Sequence, residues 1–171
     1  MTRARLIQRL KWYYPAEKFH TYFTVPVLLI YVIYSYPIQD IIFIVYGLVV
    51  CTVILYQGQL YWKLKLNSLK GENINQEKNI VFFKKSKKLN IYLIGLMPLF
   101  LLLQLTLQEW KLSINVMLYW GILSNAFAVL EYINYYHLQL MVDNKYDIEY
   151  IIRNKKLKKA SLAKDLMNNK I

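Results

Sequence analysis

Acidic residues, glycine, histidine and cysteine are all scarce in this chain. Only ten of its 171 residues are Asp or Glu against 22 Lys or Arg, and charged residues make up 19%, where an ordinary globular domain carries roughly 25%. Hydrophobic residues reach 57%. An apolar excess of that size calls for a solvent other than water. Five glycines leave little room for a phosphate-cradling loop, and neither a Walker-type nor a Gly-x-Gly-x-x-Gly sequence occurs. The single cysteine, Cys51, excludes an intramolecular disulfide and the paired thiols of redox and zinc chemistry. Two histidines are too few for a di-iron lipid desaturase. There is no nucleophile elbow and no paired Asp-rich motif for alcohol phosphatidyl transfer. These absences favour a non-enzymatic protein.

What the chain has in abundance is long uncharged stretches. A transmembrane helix needs about 20 mostly apolar residues, and four stretches qualify. They cover about 19–39, 41–62, 89–108 and 112–133, the last being free of charge as far as Leu130. Their cores read VPVLLIYVI, IIFIVYGLVVCTVIL, LIGLMPLFLLLQL and INVMLYWGILSNAFAVL. A buried strand would be shorter, and a soluble helix is rarely apolar on every face. The expected fold is an all-α membrane protein, a four-transmembrane-helix bundle of two antiparallel hairpins.

Charge placement sets the expected orientation. Of the 22 basic residues, 21 fall before span one, between spans two and three, or after span four. Lys111 alone lies in the other two connections, around Pro37–Asp40 and over 109–113. Alternation across four spans puts the three basic segments on one side, and the positive-inside rule makes that side cytoplasmic. Residues 1–18 then form a basic cytoplasmic segment, 19–142 the transmembrane domain and 143–171 a basic amphipathic cytoplasmic tail. The N-terminal stretch lacks a small-residue cleavage site and reads as an anchor that stays. Trp12 and Trp62 are expected near the inner boundary and Trp110 near the outer one. Gly71-Glu72-Asn73 is the expected break between helices two and three, both running beyond the membrane. Pro26 and Pro98 are expected to kink spans one and three.

Polar residues inside the spans are candidates for function. Glu131, Asn134 and His137 are spaced by three and would form a drifting stripe on one helix flank, about 9 Å long at 1.5 Å per residue. His20, Gln57, Gln59 and Asn90 are expected at a similar depth. Two imidazoles and a carboxylate could bind a metal or ligand, or pass a proton. The same residues could simply link helices, each contact contributing on the order of 0.6 kcal/mol. Both readings stand at this point, and no cofactor is indicated.

In the tail, Ile148, Ile151, Ile152, Leu157, Ala160, Ala163 and Leu166 recur at near-helical spacing. They predict one basic amphipathic helix over 145–164, with Arg153, Lys155, Lys156, Lys158 and Lys159 on a lipid surface. Anionic headgroups are its expected partners, or a membrane or cytoplasmic protein, rather than nucleic acid. The stretch EYINYYHLQLMVDNKYDIEYIIRNKKLKKASLAKDL, residues 131–166, resembles the C-terminal part of small bacterial, cyanobacterial-type membrane proteins, some labelled "general stress protein". That resemblance implies four spans in a bacterial inner membrane and implies no chemistry.

Three functions follow as expectations. The first is a scaffold, assembly or stress-related factor with a basic cytoplasmic face. The second is a ligand or metal site using Glu131 and His137, with His20 near. The third is a small transporter, which four spans would support only as a homo-oligomer.

Overall fold

The computed structural model describes residues 3–110 and 116–171, and their regular structure is helical. The elements are α1 (Arg3–Phe19), a π-helical turn (His20–Thr24), α2 (Val25–Ser35), α3 (Ile38–Lys70), α4 (Gln76–Leu107), α5 (Val116–Tyr136), α6 (Lys145–Asn154) and α7 (Ser161–Asn168). Three of them, α3, α4 and α5, are long and apolar enough to cross a membrane. The stretch expected as span one is divided differently. Pro26 has no N–H to continue the α-helical ladder, and just before it the bonding widens to the π pattern, Val25 N–H reaching His20 O. Helical backbone nevertheless continues from Arg3 to Ser35.

Helix α3 is the spine. Half of its most apolar stretch is buried within the protein, against 17% for α4 and 22% for α5, and it packs on α1, α2, α4 and α5. Two residues, Tyr36 and Pro37, join α2 to it in extended conformation. At its other end Gly71 takes φ 88°, where a side chain would be strained, and closes the helix by donating to Asn67 and Ser68 carbonyls. Asn75 then caps α4 by accepting from Lys78 N–H. Both long helices stop and start where the Gly71-Glu72-Asn73 break is expected. Beyond α4, Glu109 and Trp110 adopt positive φ; the rest of the connection expected over 109–113, with Lys111 and the start of span four at Leu112, lies outside the described residues.

Close approach of α3 and α5 depends on missing side chains. A Cβ on Gly121 would meet Phe43 Cδ1 at 2.9 Å, and one on Gly47 would meet Ser124 Oγ at 2.5 Å. Small residues let backbones approach where lipid removes the hydrophobic drive between helices. The outward faces of α4 and α5 carry Leu99, Leu102, Leu103, Phe127 and Leu130, all exposed. Such a belt is far too apolar for water and is what a bilayer covers.

Polar contacts lock these helices at two levels. Gln57 on α3 and Asn90 on α4 exchange both amide bonds, at 3.0 and 2.8 Å, and Tyr136 on α5 donates to the same Gln57 oxygen at 2.6 Å. Nearer the other end, the Phe43 peptide is held from two sides. Its N–H donates to Gln104 of α4, and its carbonyl accepts from Asn125 of α5. Gln57, Asn90, Gln104 and Asn125 are therefore helix-linking groups.

The tail departs from expectation. Instead of one basic helix over 145–164, two short helices flank a break at 155–160. Residues across the break bond to the chain that follows α5: Gln139 N–H donates to Lys158 O, and Ala160 N–H to His137 O. Those bonds need extended backbone, and Lys155 turns the chain with φ 50°. Helix α7 is not laid on a surface but docked. Leu162 is buried, the Tyr61 hydroxyl donates to the Asp165 carboxylate and accepts from the Ser161 hydroxyl, and Lys65 pairs with Asp165 at 2.6 Å.

Removing one member of the Gln57–Asn90–Tyr136 knot orphans the others in a dry interface. A double-mutant cycle of Gln57→Leu and Asn90→Leu, followed by unfolding in mixed micelles, is expected to show coupling of about 1 kcal/mol. Additive effects would show that the pair is not a lock.

Candidate functional site

The α3–α4 connection marks the basic end of the protein, and a cavity of about 220 Å³ opens there between α1, α3, α5 and the tail. One face of α1 supplies Arg9, Tyr13 and Glu17, each four residues apart and so stacked on successive turns about 6 Å apart. Trp62 comes from α3, Asn134 and Tyr135 from α5, and Asp147, Lys158 and Lys159 from the tail. Trp62, expected at the membrane boundary, is turned inward. Its ring stacks on Tyr13 with centroids 6.2 Å apart.

At the Arg9 level the wall is an ionic latch. Arg9 pairs with Asp143 at 2.6 Å, and Tyr13 donates to the other oxygen of Asp143. Lys158 pairs with Asp147 at 2.5 Å, while Arg9 Nη2 lies 3.7 Å from Asp147. Asn144 caps α6 by accepting from Asp147 N–H and also donates to its carboxylate. This latch fastens α1 to the chain after α5. Burial alone would raise the Asp147 carboxyl, but the hydrogen bond and charge of Lys158, with Arg9 behind them, hold it below its usual 3.8. Of the five tail cations expected on a lipid surface, Arg153, Lys155 and Lys156 are exposed, Lys159 reaches Met167 Sδ, and Lys158 is drawn inward to this latch.

The Glu17 level is different. Glu17 and Glu131 stand close enough for their charges to repel. Tyr135, on the next turn from Glu131, is buried, and its ring lies over Gly58, where a Cβ would collide with Cζ. Its hydroxyl is packed against Gly58, with the Glu17 carboxylate and the Trp62 indole as its polar neighbours.

The structure gathers only part of the expected stripe. Asn134 donates to Glu131 at 3.5 Å, and its oxygen accepts from Leu140 and Met141 N–H, which turns the chain as α5 ends. His137 therefore lies beyond the helix, exposed, with Nε2 at 3.2 Å from the Tyr132 hydroxyl. Partial burial and then the charge of Lys87 push its imidazole below the usual 6.5. His20 bonds to Thr24 and lies within electrostatic reach of Glu17. Among the described residues no three His, Cys, Asp or Glu side chains are grouped to hold a metal. Glu17, Arg9 and Tyr135 were not singled out by the sequence. Only the i, i+4, i+8 spacing of Arg9, Tyr13 and Glu17 could have pointed to one wall.

Asp147→Asn leaves Arg9 and Lys158 facing a neutral partner and is expected to destabilise the fold by about 2–3 kcal/mol. Because the Asp147 carboxyl is depressed in the folded protein, its contribution is complete above about pH 4 and disappears as pH falls through the folded value. Thermal unfolding of wild type and variant at pH 7 and near pH 3 measures both effects. An equal gap at the two pH values would show that the latch is not electrostatic.

No protein-family model matches the chain, and neither a curated protein nor a solved structure matches it.

Proposed function

We propose that the protein is a four-span, non-enzymatic component of a bacterial inner membrane whose basic cytoplasmic face binds anionic lipid headgroups. In this reading 1–18, the α3–α4 connection and 143–171 lie in the cytoplasm. The Arg3–Ser35 helical stretch supplies the first crossing through its uncharged half, and α3, α4 and α5 supply the others. The near-exclusive placement of basic residues at one end of the apolar helices supports that topology. The resemblance of 131–166 supports the bacterial setting.

One observation carries the lipid assignment. On α4, exposed Val81, Phe82, Lys85, Lys88, Leu89 and Tyr92 follow one another onto the apolar stretch of the same helix. Lysines interleaved with apolar and aromatic side chains at a membrane boundary suit an anionic surface, where each contributes about 1 kcal/mol. Arg153, Lys155 and Lys156 extend the charge along the tail.

Reconstitution into bilayers mixing phosphatidylglycerol and phosphatidylcholine tests this, with the lipid retained on the protein read by native mass spectrometry. Wild type is expected to enrich phosphatidylglycerol, and Lys85→Glu with Lys88→Glu to lose most of that preference. Glu131→Gln is expected to keep it. Equal retention of the two lipids by wild type would refute the assignment.

A further inference from the structure

Away from the basic end, a groove of about 540 Å³ lies between α2 and α5, each of which packs on α3. Ile44 and Leu48 of α3 are buried and form its floor. Its walls are half open, with Leu28 and Tyr31 on α2 and Leu123 and Phe127 on α5 all 44–57% exposed. Along α5 the lining runs from Met117 to Phe127, about 15 Å at 1.5 Å per residue. That is half the roughly 30 Å thickness of a hydrocarbon core, the depth of one leaflet. Among the described residues no charged side chain lines the groove. Ser124 spends its hydroxyl on the Gly121 carbonyl at 3.0 Å. Tyr31, Tyr36 and Trp120 supply the remaining polar tips. Tyr36 caps α2 and Trp120 lies one turn into α5, so these rings stand toward the helix ends, where amphipathic aromatics meet headgroups.

From the one-leaflet length, the uncharged lining and the continuity of its wall with the lipid-facing belt, we propose that this groove holds one acyl chain of a membrane phospholipid. Phe127 belongs both to the wall and to the exposed belt it shares with Leu130. A chain therefore enters sideways from the bilayer without crossing water, its headgroup at the Tyr36 and Trp120 end. Left empty, the groove would forfeit dispersion contacts along its buried floor. A helix is the poorer occupant, whether from a second copy or another protein. A 15 Å length of helix, about 10 Å across, fills about 1,200 Å³, more than twice the space present. A polar small molecule would find no charge to pair with. The proposal needs α2, α3 and α5 to lie in the bilayer but holds in either orientation. It is separate from the α4 stripe and stands or falls without it.

The test uses the full chain in detergent micelles and phosphatidylcholine carrying a photoactivatable diazirine in one acyl chain. The lipid is titrated from well below to well above one per protein, and adducts are mapped by mass spectrometry. Lipid that merely surrounds the helices is diluted by detergent and labels in proportion to its amount. Saturation near one lipid per protein is expected, with adducts concentrated on α2 and on 117–127 of α5. Leu28→Trp, which fills the groove from its α2 wall, is expected to lower the saturable labelling several-fold. Leu99→Trp, on the exposed face of α4, is expected to leave it unchanged. Lys85→Glu with Lys88→Glu is expected to leave it unchanged too, so the headgroup reading and this one fail separately. The titration of wild type decides the matter even if Leu28→Trp folds poorly. Labelling that never saturates, adducts spread evenly over the outward face of α4, or undiminished labelling of well-folded Leu28→Trp would each overturn the proposal.

Discussion

The constraint on which the structure depends is that α3 must be surrounded by protein. A 33-residue helix that lies half buried among the others cannot rely on lipid to solvate its polar groups. Each must find a partner on a neighbouring helix, because a lone polar group in a dry interior costs more than a made bond returns. Gln57 is met by Asn90 and Tyr136, and the Phe43 peptide by Gln104 and Asn125. Gly47, Gly58 and Gly121 supply the closeness that makes these bonds reachable. Polar locks and glycine contacts are two halves of one solution.

At the basic end the same constraint takes an ionic form. Chain entering through α1 and chain leaving α5 are fastened to each other by Arg9 with Asp143 and by Lys158 with Asp147, and α7 is fastened to α3 through Tyr61, Lys65 and Asp165. Scarcity of acidic residues makes their placement informative. Asp143, Asp147 and Asp165 all go to pairs that close the end of the protein. Glu17 and Glu131 instead lie near each other on α1 and α5, with Tyr135 and Asn134 as their polar neighbours.

Much of the architecture was legible in the sequence because its signals are long. Uncharged runs gave α3, α4 and α5, and Gly71-Glu72-Asn73 gave the break between the first two. What escaped was set by contacts distant along the chain. The tail reads as one amphipathic helix, since near-helical apolar spacing continues through 155–160, but backbone bonds from 158 and 160 to 139 and 137 win over local propensity. His137 reads as the third member of a helical stripe, yet Asn134 ends the helix before it by bonding to Leu140 and Met141. Glu17 was passed over because it precedes the first uncharged stretch, and only the fold shows that α1 carries it to Glu131 and Tyr135. Gln57 and Asn90 were expected at one depth, and their mutual bond follows from it.

The account turns on α3 crossing the membrane from Pro37 to the Gly71 turn inside a shell of the other helices. Placing single cysteines at Tyr36 and at Asn73 in a Cys51→Ala background, and labelling sealed vesicles with a membrane-impermeant maleimide, tests this directly. The account predicts that the two positions react from opposite sides, each protected until the membrane is opened from its own side. Labelling of both from the same side would contradict it.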